Sequence, residues 1–335
     1  MKQRAPSALH TDMTYTPTQI PGMIEPVEQE LLTDLAEYLD LADADVVCEF
    51  GCYFGRSARC IADGLTKNRQ LNALRRQAPA FHAYDVFSCA ASGALARYVL
   101  RDAKHAGISD LLQIDSSRVD FSRVFDHHLN DLPPGLVQRH QTDLAGARHV
   151  GGRIAMMHID APKWFNEYRQ LLCEFGPHLR PGAQLVFQDY FYHWSAELIA
   201  ATQLFIESGR FEPLETAATS LLVRVSGPVD AVALAWLDTQ LAASDIDHVL
   251  QRAIKQFAAF EMDRPEIFLS RLYLAGMQYS FEAGNHQRAS EWLSKLMRSL
   301  KGTVPPALIE DLADLTRYGF SIRSLYEQDT VRATP

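Results

Sequence analysis

The sequence predicts an α/β protein: a doubly wound, mostly parallel sheet of seven strands, followed by an all-helical C-terminal appendage. Three observations lead there. Through the first two thirds of the 335 residues, short β-rich runs alternate with amphipathic stretches, the pattern of a sheet with helices on both faces. Most of those runs are almost continuously apolar, as strands covered on both sides are. From about Val229 the β signal disappears while helical periodicity continues.

Five strands are expected in DVVCEFG (45–51), AFHAYDV (80–86), LLQID (111–115), RIAMMHID (153–160) and AQLVFQD (183–189). Helical stretches at 25–40, 56–66, 92–106, 163–176 and 194–208 separate or flank them. Four of the five runs end in an acid or an acid–glycine neighbourhood. A parallel sheet gathers such residues at its carboxyl edge, where open α/β folds bind ligands. FEPLETA and SLLVRV, at 211–217 and 220–225, are close enough to add an antiparallel pair at one edge. Residues 118–152 are a long connection with the helical piece RVFDHHLND and the breaker PPG; connections of that length often act as lids or oligomer contacts.

Beyond Val229, AVALAWLDTQLAA, IDHVLQRAIKQFAAF, PEIFLSRLYLAGMQYSFEAG, HQRASEWLSKLMRSL and PPALIEDLADLTRYGFSIRSLY read as successive helices. LYLAGMQYSFEAGNHQRASEWLSKL resembles one tetratricopeptide-like pair. Arrays of that kind need about three repeats, so this region is read as an appendage and not as a solenoid. The expected division is a flexible arm over 1–20, a sheet domain over 21–228 and a helical domain over 229–335.

Hydrophobic residues at 47% and charged residues at 22% fit a soluble globular chain. No apolar run approaches the roughly 20 residues that cross a bilayer, and MKQRAPSALHTDMTYTPTQ lacks a signal peptide's apolar segment. A cytoplasmic protein without a membrane partner is expected. The net charge of −9 argues against a nucleic-acid partner, whose phosphates need neutralising. Lys67, Arg69, Arg75 and Arg76 read as a solvated helix end. Cys48, Cys52, Cys60, Cys89 and Cys173 are odd in number and expected as reduced thiols. Cys48, Cys52 and Cys60 match no zinc spacing.

The stretch CEFGCYFGRSA, residues 48–58, carries the chemistry. A strand ending at Gly51 and a helix starting near Arg56 leave a glycine-bearing loop between them. Glycine lets the backbone turn and lets a ligand approach closely, and the helix start offers N–H groups to an anion. That anion is a nucleotide's pyrophosphate or the carboxylate of S-adenosylmethionine. The G-x-G-x-x-G and G-x-x-x-x-G-K-[ST] patterns are absent. Glu49 favours an amine-bearing ligand, because a carboxylate repels phosphate and attracts ammonium. Asp85, after the second strand, suits a ribose diol or a plain turn cap. Asp115, Ser116 and Ser117, after the third, suit an adenine neighbourhood or a helix N-cap.

CEFGCYFGRSA resembles the first motif of class I S-adenosylmethionine-dependent methyltransferases. It is especially similar to the catechol and macrocin O-methyltransferase groups, where E-x-G-x-Y-x-G-x-S recurs. IPGMIEPVEQELLTDLAEYL resembles their lead-in helix, and the likeness covers about residues 20–226. It implies a Rossmann-like methyltransferase fold. It also implies that Glu49, Gly51, Tyr53, Gly55 and Ser57, with Cys52 in the same loop, surround the methionine part. Asp85 would then hold the ribose, and Ser116 or Ser117 would lie by the adenine.

The resemblance extends to HIDAPKWFNEY (158–168) and LVFQDYFYHW (185–194). It implies that Asp160 binds a divalent metal, Mg²⁺, together with Gln188 and Asp189, and that Lys163 acts as base. Two departures stand out: Gln188 occupies a place where a carboxylate is usual, and Asp160-Ala161-Pro162-Lys163 replaces the D-G-x-H form. An amide carbonyl is still an acceptable ligand for a hard cation. His193 is an alternative base or ligand, or a structural residue. His158 reads as a strand residue packed on a helix. Trp164, Phe191, Tyr192 and Trp194 floor an acceptor pocket or fill the core.

The leading expectation is an O-methyltransferase acting on a sugar or phenolic hydroxyl with Mg²⁺ assistance. A metal-independent methyltransferase and a cofactor-binding scaffold protein are the alternatives. The C-terminal helices, whose amphipathic faces must be buried, are expected to build a homodimer or higher homo-oligomer or to cover the acceptor.

Overall fold

In a computed structural model that describes residues 16–74, 78–193, 196–262, 264–301 and 304–317, seven strands form the main sheet. Along the chain, β1 (Val46–Phe50) leads into α2 (Arg56–Lys67), after the lead-in helix α1 (Pro26–Tyr38). The short α3 (Arg69–Ala73), β2 (Phe81–Asp85), β3 (Ser88–Ala90) and α4 (Ala94–His105) follow. Next come β4 (Gln113–Ile114), β5 (Arg118–Asp120), α5 (Ser122–His128), β6 (Val137–Gln141) and β7 (Ile154–Ile159). The sheet domain closes with α6 (Phe165–Phe175), β8 (Leu179–Phe187), α7 (Ala196–Glu207), β9 (Phe211–Ala217) and β10 (Ser220–Val225).

The strand order is β6-β2-β1-β7-β8-β10-β9. β10 alone runs against its neighbours β8 and β9, so the predicted antiparallel edge pair is present. The chain winds outward from β1 through β2 to β6, then returns to β7 on the other side of β1. This reversal between β1 and β7 opens a crevice at their carboxyl ends, the usual ligand site of such sheets. Every residue of β1 and β7 is buried, which explains why all but Glu49 and His158 are apolar.

The third strand is not where the sequence predicts it. Leu111–Asp115 supplies only the two exposed residues of β4, in a separate small sheet of order β3-β5-β4. The main sheet instead ends in β6, drawn from the stretch read as a connection. Its sequence, VQRHQ, is polar and only partly buried. An edge strand need not bury both faces, so it lacks the apolar run that marks the central ones. The strand expected over 183–189 starts earlier, at Leu179, and ends at Phe187, leaving Gln188 and Asp189 just beyond it.

Two apolar cores sandwich the sheet. One joins α1, α2 and α4 through Leu32, Ile61, Leu65 and Val99. The other joins α6 and α7 through Tyr168, Leu172, Ile199 and Phe205. This second core continues into α8 (Ala231–Ala243), α9 (Ile246–Phe257), α10 (Pro265–Glu282), α11 (His286–Ser299) and α12 (Pro306–Arg317). Phe257 and Phe268 pack on Phe191 at ring distances of 5.1 and 5.7 Å. Most of the expected N-terminal arm lies outside the described residues, as do Arg75, Arg76 and Trp194.

Candidate active site

The loop after β1 is held open by backbone geometry. Gly51, Tyr53 and Gly55 have φ of +90°, +47° and +95°. A Cβ at Gly51 would lie 2.8 Å from the Ala161 nitrogen, so only glycine lets the end of β1 sit against the segment after β7. α2 starts at Arg56, and its first turn, which includes the buried Ser57, points unbonded N–H groups toward the loop.

Asp85 clamps this loop. Its Oδ2 accepts from the Cys52 and Tyr53 backbone nitrogens at 2.7 and 3.0 Å, and its Oδ1 from Phe87 N at 2.7 Å. A carboxylate has about four lone-pair sites, so the turn-capping reading and a single bond to a ligand hydroxyl are compatible. Burial raises the Asp85 carboxyl above its ordinary value despite the three N–H bonds. On the far side of the loop, His128 of α5 donates from Nδ1 to the Phe54 carbonyl at 2.8 Å. Burial lowers this imidazole to about 4, which keeps it neutral. Tyr53 stacks on Phe54 at 4.3 Å and donates to Asp102 at 3.1 Å. The Cys52 thiol is pushed well up by burial and by Glu49 and Asp85, so it is no nucleophile.

Glu49 is fully buried beside the loop. Its Oε1 pairs with His158 Nδ1 at 3.0 Å, and His158 Nε2 reaches Gln188 Oε1 at 3.1 Å. Gln188 in turn donates to Glu28 Oε1 of α1 at 3.0 Å, and Ser220 and Thr219 donate to the same oxygen. Burial opposes the charge on His158, but the bond and charge of Glu49 prevail and raise its pKa. The other Glu49 oxygen, Oε2, is buried with no hydrogen-bond donor within the described structure, beyond the weak thiol of Cys52 beside it. A buried carboxylate oxygen left so is costly and suits an ammonium.

After β7, Lys163 Nζ sits between two carboxylates, 3.0 Å from Asp160 Oδ1 and 2.7 Å from Asp189 Oδ2. Its backbone N–H donates to Glu167 at 2.9 Å, at the start of α6. Burial raises the Asp189 carboxyl, while Lys163 and, more weakly, Arg271 pull it down. Arg271 arrives from α10, 5.1 Å over the Tyr192 ring, and is paired with Asp311 at 2.8 Å.

Residues 48–190 match a family model described as a methyltransferase domain. That stretch belongs to an S-adenosylmethionine-dependent methyltransferase domain built on a mostly parallel seven-stranded sheet. Among solved structures it is similar to the O-methyltransferase NovP, at 13% identity over 60% of this chain and 80% of that one, with a TM-score of 0.42. CalS11, a TDP-rhamnose 3′-O-methyltransferase of calicheamicin biosynthesis, is 16% identical over 59% of this chain and 77% of its own, with a TM-score of 0.36. An O-methyltransferase from Bacillus cereus in complex with SAH is 14% identical over 63% and 86%, with a TM-score of 0.33. No curated protein matches the chain.

The residues of the methyltransferase domain fit S-adenosylmethionine. Glu49 Oε2, buried and lacking a strong donor, would suit its ammonium, and the start of α2 would offer N–H groups to its carboxylate. They do not fit the expected Mg²⁺ set. Gln188 is turned into the buried network, with its carbonyl on His158 and its amide on Glu28. The Lys163 ammonium lies between the two remaining ligands, and no group of three acidic, histidine or cysteine side chains is gathered for a metal among the described residues.

The remaining expected site residues lie in the turn after β4 and in the segment after β8. Asp115 is exposed and accepts from Ser117 and Arg118 backbone nitrogens, at 2.7 and 2.8 Å. It closes the turn between β4 and β5 instead of capping a helix, and Ser116 and Ser117 are exposed on that turn. The small sheet that carries this turn adjoins the ends of β2 and β6, where Gln141 donates to Asp120 at 3.0 Å and Phe121 N to the Phe87 carbonyl at 2.8 Å. His193 is buried and lowered to about 3 by burial and by the Arg271 charge, a value that disfavours it as a base near neutrality. Phe191 belongs to the core, whereas Trp164 and Tyr192 are half-buried. Sequence reasoning missed His128, Glu28 and Arg271. His158 carried a readable signal: it lies two residues before Asp160, in register with Glu49.

Proposed function

We propose that the protein transfers a methyl group from S-adenosylmethionine to a hydroxyl of a small sugar or phenolic molecule. The observation that carries this reading is the contact of Gly51 with the Asp160–Ala161 peptide. It brings the segment that follows Glu49 against the segment that carries Asp160 and leads to Lys163, which supports a cofactor cradle next to a reactive cluster. When bound, the cofactor supplies an electrophilic methyl on a sulfonium. Glu49 and the loop hold its methionine end, and Asp85 contributes a bond to its ribose. Asp160 and Asp189 offer oxygens that accept the acceptor's hydroxyl proton, and Lys163 fixes both in place. Holding the two reactants in line supplies much of the rate. Half-buried Trp164 and Tyr192, with Arg271 behind the latter, flank the acceptor side, which supports a role for α10 in closing it.

Calorimetry with S-adenosylmethionine, then turnover with panels of sugar, phenol and amine acceptors, tests this. Cofactor binding with methyl transfer to hydroxyls is expected. Transfer to amines alone would refute O-methylation, and binding without any turnover would favour a scaffold protein.

A further inference from the structure

Resting on the O-methyl-transfer reading, we propose that Lys163 is the resident cation of the reactive site. Its ammonium holds the place between Asp160 and Asp189 that a divalent metal holds in the enzymes the sequence resembles. Three observations carry this. The ammonium is within bonding distance of both carboxylates, at 3.0 and 2.7 Å, and all three side chains are mostly covered. Lys163 is also anchored through its own backbone to Glu167, so the charge is tethered at a fixed point ahead of α6.

The third observation is the loss of the third ligand. Gln188 Oε1 is taken by His158 and by Ser220 Oγ, at 3.1 and 3.2 Å, and its amide nitrogen by Glu28. Turning Gln188 toward a metal would strip partners from Glu28 and His158, both buried, and an unsatisfied buried charge is expensive. Two carboxylates with one tethered ammonium leave the cluster at net −1; with a dication in the same place and no ammonium it would be neutral. The cluster is therefore built for a weaker, permanent cation and needs no metal supply.

In the transfer, the acceptor oxygen forms its bond to the methyl carbon as the S–C bond breaks, its electron pair remaining on sulfur. The hydroxyl proton passes to a carboxylate oxygen of the Asp160–Asp189 pair, and the Lys163 ammonium faces the acceptor oxygen throughout. S-adenosylhomocysteine leaves, and the proton departs to solvent.

Titration of the full chain with Mn²⁺, followed by electron paramagnetic resonance of the free ion, tests the assignment without cofactor or acceptor. Lys163→Ala should bind Mn²⁺ at least tenfold more tightly than the unaltered protein, and Lys163→Ala/Asp160→Asn should lose that gain. Lys163→Ser, read in the same way, guards against a folding defect peculiar to alanine. Tight Mn²⁺ binding by the unaltered protein that Asp160→Asn abolishes would overturn the proposal. So would equal, weak binding with and without Lys163. Because no methyl transfer is measured, failure here is distinct from failure of the O-methylation reading.

Discussion

Removing the Asp85 carboxylate should damage both the loop and the cofactor site, and the two losses are separable. In Asp85→Ala three backbone N–H groups, of Cys52, Tyr53 and Phe87, lose their acceptor. Asp85 is only half-buried, so water replaces part of what is lost. At about 1 kcal/mol net for each bond, the cost is about 3 kcal/mol of stability. Cofactor affinity should fall by about 1.5–3 kcal/mol, or roughly 10- to 150-fold, the scale of a bond to a charged group. Asp85→Asn separates the effects. Its single amide oxygen can keep the Cys52 and Tyr53 bonds, while its NH₂ meets the Phe87 N–H, so about one bond is lost. Urea unfolding and calorimetry with S-adenosylhomocysteine read the two quantities. An Asp85→Ala protein that unfolds within about 0.5 kcal/mol of the unaltered chain and binds the cofactor equally well would refute the clamp and the ribose assignment together.

Gly51→Ala should abolish detectable cofactor binding, since it strains a backbone at φ +90° and drives a Cβ to 2.8 Å from Ala161 N; strain of this kind costs about 1–3 kcal/mol before any clash. Normal binding isotherms in that variant would contradict the described loop. His193 should make the fold acid-sensitive. Its folded pKa, about 3, lies below the free-imidazole value of 6.5, so the unfolded chain takes up the proton first and stability falls as pH drops below about 6.5. Between pH 7 and pH 5 this amounts to about 2 kcal/mol, and His193→Gln should lose correspondingly less over that interval in paired thermal melts. A chain ending at Pro228 would uncover Tyr190 and Phe191, which Phe257 and Phe268 now bury. At about 1.5–3 kcal/mol for each ring exposed, that variant should be destabilised and prone to aggregate, which size-exclusion chromatography and melting would reveal.

Local sequence determined the elements that bury both faces and the loop that needs glycine. VVCEF and IAMMHI are short, mostly apolar runs of the kind interior strands need, and Gly51 and Gly55 sit at φ of +90° and +95°, where a side chain is strained. Those features are short-range, written in the side chains of consecutive residues, so the glycine loop between β1 and α2 was legible from CEFGCYFGRSA alone. The edge strand Val137–Gln141 was not, because an edge makes no demand for apolar residues. Nor was the fate of Gln188. Whether its amide faces a metal or the core depends on His158, Glu28 and Ser220, which lie 30, 160 and 32 residues away. Lys163 could be placed near the reactive end from its spacing to Asp160. That its ammonium meets Asp189 as well was decided only when β7 and β8 paired side by side, because electrostatic partners are chosen by distance in space and the sequence records only distance along the chain.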